Sequence, residues 1–194
     1  EGLEPRLLFS ADPLTALLES ATNMELTVEN DSVLLRNLDD QSVIAQQPLD
    51  DTSSVFITGS LGDDSLTINE PFFSNNSLTV TFDGGLGQDE ISGSTITSDI
   101  NWAFTGFDSS DDNANILFSD VESLITGSGS SSLYGDNISR IWEIITSSSG
   151  TVGGTSFTGF DSLIGGHDKD YLVDNSNSLS WDILSHGKGS ISKF

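Results

Sequence analysis

The stretch GGLGQDEIS, Gly84 to Ser92, decides how the rest of the chain is read. It fits the nonapeptide G-G-x-G-x-D-x-U-x, with U apolar, at every fixed position. Its glycines admit positive φ and let backbone carbonyls converge, while its Asp supplies a carboxylate to the turn. Units of this spelling normally follow one another directly, coil upon coil, in parallel β-helices. Here no second copy follows at nine residues.

Alignment on the apolar eighth position extends the pattern to four segments: GSLGDDSLT from Gly59, GGLGQDEIS from Gly84, TGSGSSSLY from Thr126 and GGHDKDYLV from Gly165. Their starts lie 25, 42 and 39 residues apart. A second repeat keeps step with the later ones. Trp102, Trp142 and Trp181 open NWAFTG, IWEIIT and SWDILS at intervals of 40 and 39 residues. Between them, F-x-x-[FV]-[DE]-S-L-I-x-G occurs from Phe118 and again from Phe157. The third Trp-led unit reaches only Phe194, so the repeat pattern reads as part of a longer array.

A rung of two or three short strands cannot bury its apolar side alone, so it stacks on its neighbours. The 25-residue step suits one rung; the longer steps suit two rungs, or one rung with a large excursion. In LTVTF, alternation places Leu78, Val80 and Phe82 on one face and Thr79 and Thr81 on the other. The tryptophans read first as core or stacking residues.

Composition narrows the partners. The chain has 194 residues, with Lys+Arg 6 against Asp+Glu 30 and a net charge of −24. Nucleic acid and anionic membrane surfaces are poor partners for such a surface, since both are bound through positive charge. Divalent cations or a basic protein fit better. The absence of cysteine excludes disulfides, thiolate metal sites and a Cys nucleophile. No apolar run approaches the length of a membrane span, and no secretion signal opens the chain, which begins at Glu1 rather than Met, so upstream sequence is expected to be missing or removed.

The expected fold is all-β: a right-handed parallel β-helix, or β-solenoid, with a short N-terminal helix or cap. The helix is expected in ADPLTALLES, with Asp12 as N-cap, Pro13 at the first helical position, and Leu14, Leu17 and Leu18 on one face. Such a helix would cover an open end of the stack or dock to an export or anchoring partner. Residues 24–58 read as irregular first strands, with Asn30-Asp31 and Asp39-Asp40 as turns. Residues 59–100 carry the nonapeptide-like rungs, and 101–194 the Trp-led repeats.

The N-terminal EGLEPRLLFSADPL carries L-E-P-R-x-L-L in Leu3, Glu4, Pro5, Arg6, Leu7 and Leu8, followed by Phe9. It resembles the LEPR-XLL motif near the N-termini of very large bacterial surface or exported proteins, with Leu-Leu-Phe after Arg6 where two Leu follow one free position in the usual spelling. The segments SLGDDSLTI and FDGGLGQDEISG resemble the repeats-in-toxin type units of those proteins, and the Trp-led units resemble their longer repeats. The resemblance implies a giant secreted or cell-surface protein with an adhesive, biofilm or matrix role. It also implies partners in downstream repeats and in secretion or surface anchoring, the latter docking through Leu3, Glu4, Pro5, Arg6, Leu7 and Leu8 of a segment and capping helix at residues 1–23.

Calcium is the cofactor expectation. Ca²⁺ takes six to eight oxygens, and one turn supplies about half, so two turns must face each other. Asp64 and Asp89 are the sixth-position carboxylates of units one 25-residue step apart, with Asp63, Asp83 and Glu90 adding charge nearby. Asp170 holds the same position in the last unit, where Asp168 replaces a glycine; Ser131 replaces the acid in the Thr126 unit. Glycine-rich turns with Asp are also how any β-solenoid turns a corner, and that reading comes first.

Catalysis has weaker support. His167 and His186 are the only histidines, with no spacing for zinc, and no G-x-S-x-G elbow occurs. Paired carboxylates of a polysaccharide-cleaving β-helix would come from Asp108, Asp111, Asp112 and Asp120. A carbohydrate-binding module would use exposed aromatics such as Trp102 and Phe107. The leading expectation is a non-enzymatic structural or adhesive scaffold.

Overall fold

The computed structural model describes residues 11–74, 78–107, 114–175, 182–185 and 188–192, the last two ranges as backbone only. The LEPR segment, Asp108, Asp111, Asp112, Trp181 and His186 lie outside the described residues. About half of the chain is strand and 4% is helix, so the all-β expectation holds.

In chain order the strands are β1 (Asp12–Leu17), β2 (Asn23–Glu29), β3 (Ser32–Asn37), β4 (Val43–Pro48), β5 (Thr52–Thr58), β6 (Ser65–Ile68), β7 (Val80–Asp83), β8 (Glu90–Ser92), β9 (Ile100–Phe104) and β10 (Ile116–Ser119). They continue with β11 (Ser123–Ile125), β12 (Ser131–Tyr134), β13 (Ile141–Thr146), β14 (Ser149–Val152), β15 (Thr155–Thr158), β16 (Ser162–Ile164), β17 (Tyr171–Asp174), β18 (Asp182–Ser185) and β19 (Lys188–Ser192). They form two sheets. One has the order β1-β5-β7-β10-β9-β12-β16-β19-β18; the other runs β17-β13-β14-β15-β11-β8-β6-β2-β3-β4.

The chain shuttles between these sheets. From β5 to β8 it gives one strand to each in turn: β6 pairs in parallel with β2, β7 with β5 and β8 with β6. Leu78, Val80 and Phe82 are buried and Thr79 and Thr81 are not, as the alternation in LTVTF requires. The inward residues join one core that runs from Leu14 to Phe160 and includes Leu66, Ile91, Trp102, Phe118, Leu124 and Trp142. Asn30 and Asp31 both take positive φ (49° and 59°) in the tight turn of the β2–β3 hairpin, a turn whose twist matches its strands.

The expected N-terminal helix is absent: residues 12–17 form β1, parallel to β5. The strand puts Leu14 and Ala16 toward the core and leaves Leu17 73% exposed, so the leucine spacing was misleading. A ten-residue helix is marginal by itself, whereas β1 gains a ladder of hydrogen bonds along the edge of a preformed sheet. A four-residue helix, α1 (Glu70–Phe73), instead interrupts the β6–β7 connection and buries Phe72.

After β8 the order changes. β9 lands beyond the place next to β7, and β10 then fills the gap, pairing in parallel with both. The next unit repeats the manoeuvre in the other sheet: β13 overshoots, and β14 and β15 fill back toward β11. Three passes between sheets therefore separate β9 from β13, and again β13 from β18, so successive Trp-led units begin in opposite sheets. Trp102 and Trp142 are both core residues, but they do not share a stack along one sheet.

A carboxylate–amide ladder as the candidate functional site

Each candidate acid stands one residue before a short strand, in the local sequence [DE]-x-[LI]. Asp64 precedes β6, Asp89 precedes β8 and Asp170 precedes β17. At that position the regular strand pairing has not begun, so the backbone N–H of the neighbouring rung lacks a carbonyl opposite it. The acid side chain takes the carbonyl's place. Thr22 N–H donates to Asp64 Oδ1 (2.7 Å), and Asp64 N–H donates to Asp89 Oδ1 (2.7 Å). Asp89 N–H donates to Glu122 Oε2 (2.8 Å). Ser131 N–H donates to Asp161 Oδ2 (3.1 Å), and Arg140 N–H donates to Asp170 Oδ1 (3.0 Å). In every case donor and acceptor immediately precede residues paired in the sheet register: Asn23 with Ser65, Ser65 with Glu90, Glu90 with Ser123, Ser132 with Ser162, and Ile141 with Tyr171.

Two of these acids were not singled out as site residues from sequence. Glu122 and Asp161 occupy the [DE] position of F-x-x-[FV]-[DE]-S-L-I-x-G, so the repeat recorded them while the nine-residue template did not. A smaller set of bonds runs the other way. Gln88 N–H donates to Asp63 Oδ1 (2.8 Å), Ser130 N–H to Asp99 Oδ1 (3.0 Å) and His167 N–H to Asn137 Oδ1 (3.1 Å).

The glycines serve the same stacking. A Cβ on Gly59 would stand 2.1 Å from Gly84 O, and one on Gly84 would stand 2.0 Å from Asp120 O. Backbone lies on backbone at these corners, so only glycine fits. The spelling of the nonapeptide is thus accounted for by close rung packing and by an acid that accepts an amide from the adjacent rung.

The second oxygens differentiate the three predicted acids. Asp64 Oδ2 accepts Ser60 N–H (2.6 Å), and Asp170 Oδ2 accepts Gly166 N–H (2.9 Å), both from four residues upstream. The equivalent residue for Asp89 is Gly85, whose φ is +89°, and Asp89 Oδ2 is left buried with no partner. Burial raises the Asp89 pKa; the bond from Asp64 N–H opposes this, and the charges of Asp64, Glu122 and Asp63 raise it further. As a calcium cage the set is incomplete: Asp64 and Asp170 have both oxygens engaged by amides, and Asp89 alone offers an unengaged one. Among the described residues no group of three or more His, Asp or Glu side chains is arranged to hold an ion. Of the flanking acids, Glu90 Oε2 accepts the Ser123 hydroxyl (3.1 Å), and Asp168 lies exposed in its turn.

The aromatic and catalytic candidates separate likewise. Trp102 is fully buried and cannot serve as an exposed platform for sugar; Phe107 packs beside Tyr134. Asp120, with φ +51°, lines a cleft of about 240 Å³ together with Glu122, Asp136, Arg140 and Thr155. There the Arg140 guanidinium makes a two-pronged pair with Asp136 (2.7 Å for each bond) and lies 4.3 Å over the Phe104 ring. His167 is exposed.

No protein-family model matches the chain, and no curated protein or solved structure matches it.

Proposed function

We propose that the chain is a non-enzymatic scaffold: a right-handed parallel β-solenoid in the N-terminal part of a very large secreted or surface-bound bacterial adhesin-like protein. The observation that carries this reading is the ladder. Five acids at equivalent strand starts each take a backbone amide from the neighbouring rung, which is a device for holding rungs together. The right hand of the coil follows the general preference for right-handed connections between parallel strands of one sheet. The LEPRLL and repeats-in-toxin-like sequences support the exported, adhesive setting, with downstream repeats and an anchoring or secretion partner as its contacts. Calcium enters at Asp89, where Oδ2 has no partner, as a stabiliser of the joint between adjacent rungs.

The cleft beside Asp120 and Glu122 favours one second reading, a carbohydrate-binding module. A glycan array combined with a reducing-end assay separates the two. The scaffold retains no glycan selectively and releases no reducing ends; selective retention, or turnover abolished by Asp120→Asn, contradicts it. Melting in calcium and in chelator tests the ion, which by mass action raises the midpoint if it binds the native state; that rise should vanish in Asp89→Ala.

A further inference from the structure

The ladder has an open end. Among the described residues β17 is the last strand of the ten-stranded sheet, and its one strand partner is β13. Asp170 accepts the amide of Arg140, as Asp89 accepts that of Asp64. The Asp64 and Asp89 amides in turn donate to the next acid along, whereas the Asp170 N–H makes no hydrogen bond among the described residues. Tyr171 N–H and Asn175 N–H point to β13, so strand alternation directs the Leu172 N–H off the free edge. The side chains agree. Leu66, Ile91 and Leu124 hold the second position after their acids and are almost wholly buried, while Leu172, in the same position, is 37% exposed between the exposed Tyr171 and Val173.

The opposite edge of this sheet is blunted. β4 ends in Pro48, and Asp39, Asp40, Asp50 and Asp51 flank it, which discourages further pairing. The β17 edge also has acids beside it, Asp168, Asp170 and Asp174, but no proline interrupts the strand. Beside the Asp170 amide stands Lys169, one of only six basic residues in the chain.

We propose that the β17 edge docks one further parallel rung, whose turn supplies an Asp or Glu to the Asp170 amide and whose strand sets a Leu or Ile over Leu172. This deepens the scaffold reading and rests on it: it names the surface by which the scaffold is extended and the chemistry of the segment that extends it. The continued register supplies the geometry, and the Asp170 amide, placed as the Asp64 and Asp89 amides are, supplies the donor that an incoming acid would meet.

The probe is the ten-residue peptide GSLGDDSLTI, which copies Gly59 to Ile68 and carries an acid, a short strand and a Leu in the required order. It is titrated at millimolar concentration into the isotope-labelled 194-residue chain, with amide shifts and hydrogen exchange as the readouts. The Asp170 and Leu172 amides are expected to shift and to exchange at least about tenfold more slowly, and a peptide with Ala in the Asp64 position binds about tenfold more weakly, as expected for loss of a bond to a charged acceptor. Leu172→Lys, a change at an exposed site, abolishes binding without moving the melting temperature. The proposal is overturned if saturating peptide leaves both amides unmoved, if both already exchange slowly in the chain alone, or if the Ala peptide binds equally well. Concentration-dependent self-association removed by Leu172→Lys also overturns it, since the occupant is then a second copy. Slow exchange at Thr22 and Asp64 throughout confines any such failure to this edge; fast exchange there defeats the scaffold reading itself.

Discussion

From Thr52 to Ser92 the chain builds outward without overshooting, β7 beside β5 and β8 beside β6; from Ile100 to Asp174 it overshoots and fills back. The two regions nevertheless use one joint. Asp64 to Asp89 joins consecutive rungs, while Asp89 to Glu122 and Ser131 to Asp161 join strands separated by excursions of the chain. The acid before the strand therefore marks neighbourhood in space and is indifferent to the order in which strands arrive. The tryptophan marks something else, the strand that overshoots: Trp102 on β9 and Trp142 on β13.

The largest expected difference between the regions lies in how hidden the joint is. Asp64 is buried, and Asp64→Ala strands two amides, those of Thr22 and Ser60, without acceptors. It should cost about 3–4 kcal/mol in denaturant unfolding, since each unsatisfied buried donor costs about 1–3 kcal/mol. Asp170→Ala removes the same two kinds of bond, but in a half-exposed turn that water reaches, and should cost about 1 kcal/mol. Equal costs would mean that the ladder is not a burial-dependent joint.

Glycines give the next contrast. Gly84→Ala forces a Cβ against backbone 2.0 Å away and should cost about 3 kcal/mol. Gly154→Ala meets nothing within 4 Å and has only its φ of +98° to contend with, for about 1–2 kcal/mol.

The smallest effects concern charge. Asp89→Asn keeps the acceptor for the Asp64 N–H and removes a buried charge with one unpartnered oxygen, so it should be neutral or stabilising at pH 7; Asp64→Asn replaces an oxygen that accepts an amide with a donor and should cost about 1–2 kcal/mol. The Asp89 pKa is raised in the fold, so its ionised form is disfavoured there, and native stability falls as pH rises through that raised value. The advantage of Asp89→Asn should accordingly shrink as pH falls toward the ordinary carboxylate value. Glu70 has the opposite sign. The Ser98 hydroxyl, with help from the Thr97 and Ser98 amides and the Ser74 hydroxyl, outweighs burial and holds its pKa at about 2. Its contribution is present above the ordinary carboxylate value and is lost as pH falls toward about 2. Melts of wild type and Glu70→Gln between pH 2 and 8 check this.

Much of the architecture was legible where chemistry is local. Alternation gave the LTVTF strand, the Asn30-Asp31 and Asp39-Asp40 turns gave the β2–β3 and β3–β4 connections, and the GSLGDDSLT and GGLGQDEIS segments gave the adjacent parallel strands β6 and β8. The N-terminal strand was not legible, because Leu14, Leu17 and Leu18 fit a helical face and the competing partner, β5, lies some forty residues away. The alternation of Trp-led units between sheets was hidden for a related reason: strand order is settled by long-range pairing that no repeat period encodes. Asp64, Asp89 and Asp170 were found, read first as corner residues and second as calcium ligands, while Glu122 and Asp161 were not; what the sequence did not reveal is the neighbouring backbone amide that each of the five accepts.

The most direct test is native-state hydrogen exchange at the Thr22, Asp64 and Asp89 amides, with Asp89→Ala as the perturbation. Slow exchange at all three in the intact chain, and a selective acceleration of Asp64 in the variant, is the expected result. An Asp64 amide that exchanges in the intact chain as fast as an exposed turn such as Gly154 would contradict the ladder.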